Sequence, residues 1–392
     1  MMFAKVKFLS YLILISVIPT FLIWLPFFLR LKSVWGIPLP QEGMAVVVAN
    51  YDGPLFLVVA KTFYNIERIT QDFSFPLPSE YYAAHFPLFP ILIKAFALIA
   101  GFPYSMLFVT VASSFLAIYF FQKFIKDYVT ENNSLWMTFI FAIFPARWLV
   151  VRSVGSAEPL FVAGVLASVY YFKKEKYLLS GFWGVIAAIT KSPGILLFLS
   201  FLLTILLPEF KKLATSPIKN WLRSFNVKKL LPIFLIPLSV FAVFILYKMK
   251  FGDFFAYFRS GDNIHLFFPP FQIFNYSATW VGTFWLEEII FVYLFGILGI
   301  FRMLAKERLK KPGDSAIIFT ILFFISTLFV SHRDLVRYSL PIVPFLLMAY
   351  SDVLVKKEFK IALVFLIIPI YLFSLTFISQ NVMPIGNWSP FL

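Results

Sequence analysis

FLSYLILISVIPTFLIWLPFFL, residues 8–29, runs its whole length without a charged side chain. A helix of about 20 apolar residues crosses the hydrocarbon core of a bilayer. A helix resting on a soluble core shows an apolar stripe with a 3.6-residue period; this run is apolar all round and needs an apolar solvent on every side. Lys5 and Lys7 precede it, as basic residues precede a signal peptide. Its length, and the Pro and Trp where small cleavage-site residues would stand, favour a retained anchor.

Comparable runs recur at roughly 104–122, 134–151, 158–172, 177–190, 193–208, 230–248, 287–303, 314–331, 338–354 and 360–378. The expected fold is therefore all-α: a polytopic transmembrane helical bundle of about eleven spans, forming one membrane domain over residues 1–392. Composition agrees. The chain is 61% hydrophobic and 14% charged, with mean hydropathy +0.87, against roughly 25% charged residues in an average soluble domain. Too few charges remain to cover a water-facing surface. Cysteine is absent, which excludes disulfides and thiolate metal sites.

The net charge of +15 would point to nucleic acid in a soluble protein. Here the basic residues sit in short segments between apolar runs, the positive-inside pattern, and no nucleic-acid role is expected. With a cytoplasmic N-terminus, alternate loops collect Lys123/Lys126, Lys173/Lys174/Lys176, the 209–229 cluster, the 302–311 cluster and Lys356/Lys357/Lys360. With Lys5 and Lys7 these loops hold 21 of the 34 Lys and Arg. The pattern requires that residues 86–100, which open with two prolines and carry Lys94, form a re-entrant or interfacial helix and not a further span. The outer face then holds two long segments, 30–103 and 249–286, rich in aromatics and proline, that suit the headgroup layer.

Ionisable groups at a membrane boundary are costly, so those on the outer face are the candidates for function. Asp52, in Asn50-Tyr51-Asp52-Gly53-Pro54, is either the N-cap of an interfacial helix with Pro54 in its first turn or a general base mounted on that rigid start. Glu158 opens a span near Arg147 and Arg152; the helix dipole accounts for it at the surface, but if buried it needs a partner. Lys191, in Thr190-Lys191-Ser192-Pro193, either snorkels or offers a point charge to a phosphate. In His332-Arg333-Asp334-Leu335-Val336-Arg337-Tyr338, two arginines oppose the positive-inside tendency. Asp334 either neutralises one of them, or Arg333 and Arg337 bind an anion with bidentate forks. His332 stands beside them in the substrate-binding set. Walker, dinucleotide and His-Glu-x-x-His patterns are absent from the sequence, and three histidines without cysteine make a His-rich or thiolate zinc site a poor expectation.

Five segments together resemble the GT-C superfamily of membrane glycosyltransferases, above all the family of the second mannosyltransferase of GPI-anchor synthesis and its prokaryotic relatives. Tyr51-Asp52-Gly53 with Ala60 and Tyr64 is similar to the family's aromatic-Asp-Gly segment, and residues 84–93 resemble its phenylalanine-proline stretch. Ser156-Ala157-Glu158-Pro159 running to Thr190-Lys191-Ser192-Pro193 resembles its acidic turn, helix pair and Thr-Arg-Pro-like turn. Residues 251–258, with Asp253, resemble its Gly-Asp-Pro-Leu-Ala-Phe segment, and Arg337-Tyr338 its late Arg-Tyr span. Tyr51 stands where the family favours Trp, and Lys191-Ser192 replaces an Arg-Pro pair.

The resemblance implies an inverting transfer of a sugar, mannose or another hexose, from a polyprenyl-phosphate donor to a lipid-linked, glycan or protein hydroxyl acceptor on the outer or lumenal face. It implies Asp52 as base, Arg333, Arg337 and Lys191 at the phosphate, and Glu158 and Asp253 orienting sugar or acceptor. Oxygen ligands suit a divalent cation between carboxylates, though the sequence does not require one. In a prokaryote the protein would lie in the plasma membrane. The alternative reading is a transporter or flippase for lipid-linked sugars, which should show two related halves with broken helices at corresponding positions.

Overall fold

The computed structural model describes residues 2–75, 77–213, 229–261, 266–275, 286–305 and 314–392. The basic residues from Lys219 to Lys228 and from Lys306 to Lys311, and parts of the second outer segment, lie outside them. The chain is helical nearly throughout; a hairpin pairing Ser33–Val34 with Ile37–Pro38 is the one sheet among the described residues.

The first ten helices are α1 (Met2–Phe28), α2 (Met44–Val48), α3 (Gly53–Thr62), α4 (Ile66–Asp72), α5 (Leu88–Ile125), α6 (Glu131–Ile143), α7 (Ala146–Val151), α8 (Glu158–Lys173), α9 (Tyr177–Ala188) and α10 (Ile195–Leu213). Later helices cover Leu235–Phe251, Leu286–Ala305, Ser315–Thr327, Val343–Ala349 and Lys357–Gln380. Six helices among the described residues are long and apolar enough to cross a membrane: Val6–Phe28, Leu88–Ile125, Ser192–Glu209, Leu231–Phe251, Leu286–Ala305 and Lys357–Gln380. Their outer faces carry the exposed Leu, Ile and Phe that lipid would cover.

Two of the remaining expected spans depart from single helices. The run 134–151 divides into α6 and α7 at Phe144-Pro145, where Phe144 is extended; proline lacks the N–H and drives the preceding residue out of the helical region. The run 338–354 is interrupted at Pro341 by a 3-10 turn, Leu340–Ile342, and again at Tyr350, which separates the helices Val343–Ala349 and Ser351–Leu354. Within α5, Gly101 at φ 70 and ψ 166 marks a kink just before Pro103, so Leu88–Ala100 leaves the line of the span that follows.

α8 is the central post, buried on every side from Glu158 to Val169. It packs against α9 through small residues. A Cβ on Gly164 would meet the Ala187 nitrogen at 2.9 Å and its Cβ at 3.0 Å, and Ser168 and Ser180 exchange hydroxyl-to-carbonyl hydrogen bonds at 2.8 and 2.9 Å. Small residues let membrane helices approach closely enough for dispersion and hydrogen bonds to hold them. Gly164→Val should force the pair apart and cost about 1–3 kcal/mol, as overpacking does. Thermal unfolding in detergent checks this, and an unchanged midpoint would mean that the interface yields freely.

Candidate functional site

The Asp52 turn is fixed from both sides. Asn50 donates through Nδ2 to the Ile378 carbonyl at 2.7 Å, and the Met383 N–H donates to the Ala49 carbonyl at 2.8 Å, tying the turn to the end of the Lys357–Gln380 helix. Tyr51 sits at φ 48, a left-handed conformation costly for a residue with a side chain. Gly53 follows because a Cβ there would lie 2.4 Å from the Val48 carbonyl oxygen. Asp52 occupies the N-cap position of α3, yet its carboxylate makes no capping hydrogen bond. It faces Arg337, with Oδ2 3.5 Å from Nη1.

Arg337 joins three carboxylates. Besides Asp52, its Nε lies 3.7 Å from Glu158 Oε1 and 3.9 Å from Asp334 Oδ2, and its guanidinium covers the Tyr51 ring at 4.5 Å. Burial works against its charge, but Glu158, Tyr338, Asp52 and Asp334 outweigh that and hold its pKa above the ordinary arginine value. Glu158 is buried and has its partners: Lys191 Nζ at 2.6 Å, and the Ser156 hydroxyl, which donates to Oε2. Asp334 forms an ion pair with Arg147 Nε at 2.9 Å and accepts from the Tyr51 hydroxyl at 2.9 Å. The Arg147 guanidinium lies 3.7 Å over the Phe377 ring.

Exposure separates these carboxylates. The Asp52 side chain is 40% accessible, whereas those of Glu158 and Asp334 are 8% accessible. Asp52 alone of the three opens to solvent; the other two are committed to ion pairs with buried or half-buried cations.

No protein-family model matches the chain, and no curated protein matches it. Solved structures do. ArnT from Cupriavidus metallidurans bound to undecaprenyl phosphate superposes with a TM-score of 0.54 at 13% identity, over 90% of this chain and 62% of that one. The archaeal oligosaccharyltransferase AglB from Archaeoglobus fulgidus, in complex with an inhibitory peptide and a dolichol-phosphate, gives 0.54 at 14% identity over 98% of this chain and 57% of that one. The chain shares the fold of these two membrane proteins. The chain spans about six tenths of the length of these neighbours.

Within this fold, the residues anticipated from sequence fall into two groups. Asp52, Glu158, Lys191 and Arg337 form one connected cluster. Arg333 is exposed and makes no ion pair there, while His332 Nδ1 accepts from the Asp334 N–H at 3.0 Å and so shapes the turn that carries Arg337. The Asp253 carboxylate pairs with Arg259 Nη1 at 3.2 Å and accepts from the Phe255 N–H at 2.9 Å. Its segment still reaches the cluster's edge, since Tyr257 and Ser192 share a hydroxyl contact of 2.5 Å beside Lys191. Arg152 lies apart from the cluster; it is fully buried, and its guanidinium donates to the carbonyls of Ala142 and Ser16.

Sequence alone gives no role to Tyr51 or Arg147, and only a neutralising one to Asp334. The one available signal was two arginines and an aspartate on a face that should be poor in charge. Among the described residues, no three His, Asp or Glu side chains gather closely enough to hold a metal ion. Asp52 and Glu158 both lean on Arg337, so this donor set as arranged does not fit a divalent cation.

His85 packs behind Asp52, almost fully buried, with its ring edge-on to Phe56 at 5.0 Å. Burial pushes its imidazole pKa down; Asp52 opposes this, and Lys191 and Arg337 add to it. The folded value lies below the unfolded one, so the stability from neutral His85 is present above the ordinary pKa of 6.5. It is lost as pH falls through that value toward the folded one. The thermal midpoint should therefore drop as pH falls below about 6.5, and His85→Phe should flatten that drop. An undiminished drop in the variant would assign the acid sensitivity to other groups.

Proposed function

We propose that the protein is an inverting GT-C glycosyltransferase that moves a sugar from a polyprenyl-phosphate donor to a hydroxyl acceptor at the membrane boundary. The observation that carries this reading is the meeting of an accessible Asp52 with Arg337, 3.5 Å apart, where the turn before α3 meets the turn after Val330. The acceptor hydroxyl attacks the sugar C1 opposite the phosphate. Asp52 takes the hydroxyl proton as the new C1–O bond forms, and the C1–O bond to phosphate breaks with its electrons passing to the phosphate. General-base assistance of this kind contributes roughly 10²–10⁴ in rate.

Arg337 and Lys191 stabilise the charge gained by the leaving phosphate, which is where positioned cations help most. A bound phosphate competes with Asp52 for Arg337 and so frees the carboxylate to accept a proton. Glu158 and Asp334 keep the cations aimed when the site is empty. Arg333 on its exposed turn, His332 and Asp253 complete the donor and acceptor contacts.

Mannose is the sugar we favour, on the resemblance to the GPI second mannosyltransferase family; the chain's N-terminus is then cytoplasmic and the site faces outward, at the plasma membrane in a prokaryote. A transporter would bind its cargo near mid-membrane. Against that, Glu158 is the first residue of α8 and Lys191 lies in the turn joining α9 to α10, so the cluster sits at helix ends. The test is to incubate purified protein with polyprenyl-phosphate mannose and polyprenyl-phosphate glucose and a set of lipid and glycan acceptors. Labelled product from the mannose donor is expected. Product from glucose alone would overturn the sugar assignment.

A further inference from the structure

A concave site lies a whole helix away from the charged cluster. α8 starts in the cluster at Glu158 and ends at Lys173; its 16 residues span about 24 Å at 1.5 Å each, close to the thickness of a bilayer's apolar core. At that far end α5, α8 and the turn leading into α9 border an open cavity of about 360 Å³. Its walls bring together Lys123, Lys174 and Lys176 with Tyr119, Tyr170 and Tyr171.

The lysines are more numerous than the charges that meet them. Asp127 pairs with Lys174 at 3.1 Å and with Lys173 at 3.3 Å. Among the described residues, no carboxylate comes within ion-pair distance of Lys123 or Lys176. Lys123 lies 5.5 Å over the Tyr119 ring, which leaves its ammonium free to meet an anion. Ammonium groups bind phosphate as point charges, and tyrosines at this depth present an apolar body with a polar tip.

One wall continues into apolar surface. Trp183 of α9 packs edge-on against Phe120 at 4.9 Å, and beside it Leu178, Leu179 and Phe182 are exposed at 68%, 41% and 54%. Leu178 and Phe182 are four residues apart and share a helix face. A soluble phosphate compound has nothing to lay along such a track.

We infer that this cavity holds the phosphate headgroup of an anionic lipid, with an acyl chain lying along α9. The site is separate from the Asp52 cluster and does not depend on the transferase reading. A loop obeying only the positive-inside rule would need no cavity, no tyrosine walls and no apolar track.

Native mass spectrometry of the purified full chain tests this, using phosphatidylglycerol, phosphatidylcholine and inorganic phosphate as probes. Wild-type protein should keep phosphatidylglycerol in preference to phosphatidylcholine through detergent washing. Inorganic phosphate should leave that complex intact. Lys123→Gln with Lys176→Gln should weaken phosphatidylglycerol retention by about 30-fold, from roughly fivefold per lysine near a membrane surface. Should the double variant fail to fold, Lys176→Gln alone should still give about fivefold. Equal retention of the two lipids, unchanged retention in the variants, or displacement by inorganic phosphate would each overturn the inference.

Discussion

Asp52→Asn should leave a folded, extractable protein whose sugar transfer falls by about 10²–10⁴. The carboxylate contributes no capping bond to α3, and at 40% side-chain exposure its pairing with Arg337 is well screened by water. The turn is held by Asn50 and by the Ala49 carbonyl, neither of which the substitution touches. Asparagine keeps the shape but cannot take the acceptor's proton. Rates of transfer by purified wild-type and variant protein, read beside their unfolding midpoints, check this. Near wild-type turnover in the variant would remove Asp52 from the chemistry.

Arg337→Ala is expected to damage both fold and function. It strips the shared cation from Asp52, Glu158 and Asp334, two of which are buried. Removing one partner of a buried ion pair costs about 3–5 kcal/mol, because the charge left behind stays out of water. Lys191 and Arg147 still pair with Glu158 and Asp334, which places the cost toward the lower end. Arg337→Lys separates the two roles. It restores a charge, and with it most of the stability, but not the planar fork that grips a phosphate through two parallel bonds. The apparent KM for donor should therefore remain raised in the lysine variant. An unchanged donor KM in either variant would exclude Arg337 from phosphate binding.

The bundle was legible because solvent preference is written in composition. Runs such as 8–29 and 360–378 read as single membrane helices and are found as Val6–Phe28 and Lys357–Gln380. Where a run contained Pro145 or Pro341, its apolar character was plain but its continuity was not, since hydropathy is blind to a missing N–H. The bend at Gly101 had a local signal in the Gly-Phe-Pro step.

The site was legible in its parts and not in its pairings. Asp52 could be recognised as the residue before a helix, but not as a carboxylate that declines the cap. That choice depends on Arg337, which reaches it from the other end of the chain. Glu158 demanded a partner on burial grounds, and whether Lys191 or Arg337 supplied it was a question of packing; both do. Tyr51 carried no polar signal at all. Its hydroxyl matters because Asp334 meets it, and its ring because Arg337 covers it.

The most direct measurement is transfer by purified wild-type protein in detergent micelles, with labelled polyprenyl-phosphate hexoses and hydroxyl acceptors and no sealed bilayer present. Labelled glycoside accumulating under those conditions is the predicted result, since bond-making at a helix-end cluster needs no second compartment. Intact donor throughout, together with movement of the same lipid-linked sugar across sealed vesicles, would make the protein a translocator and contradict the account.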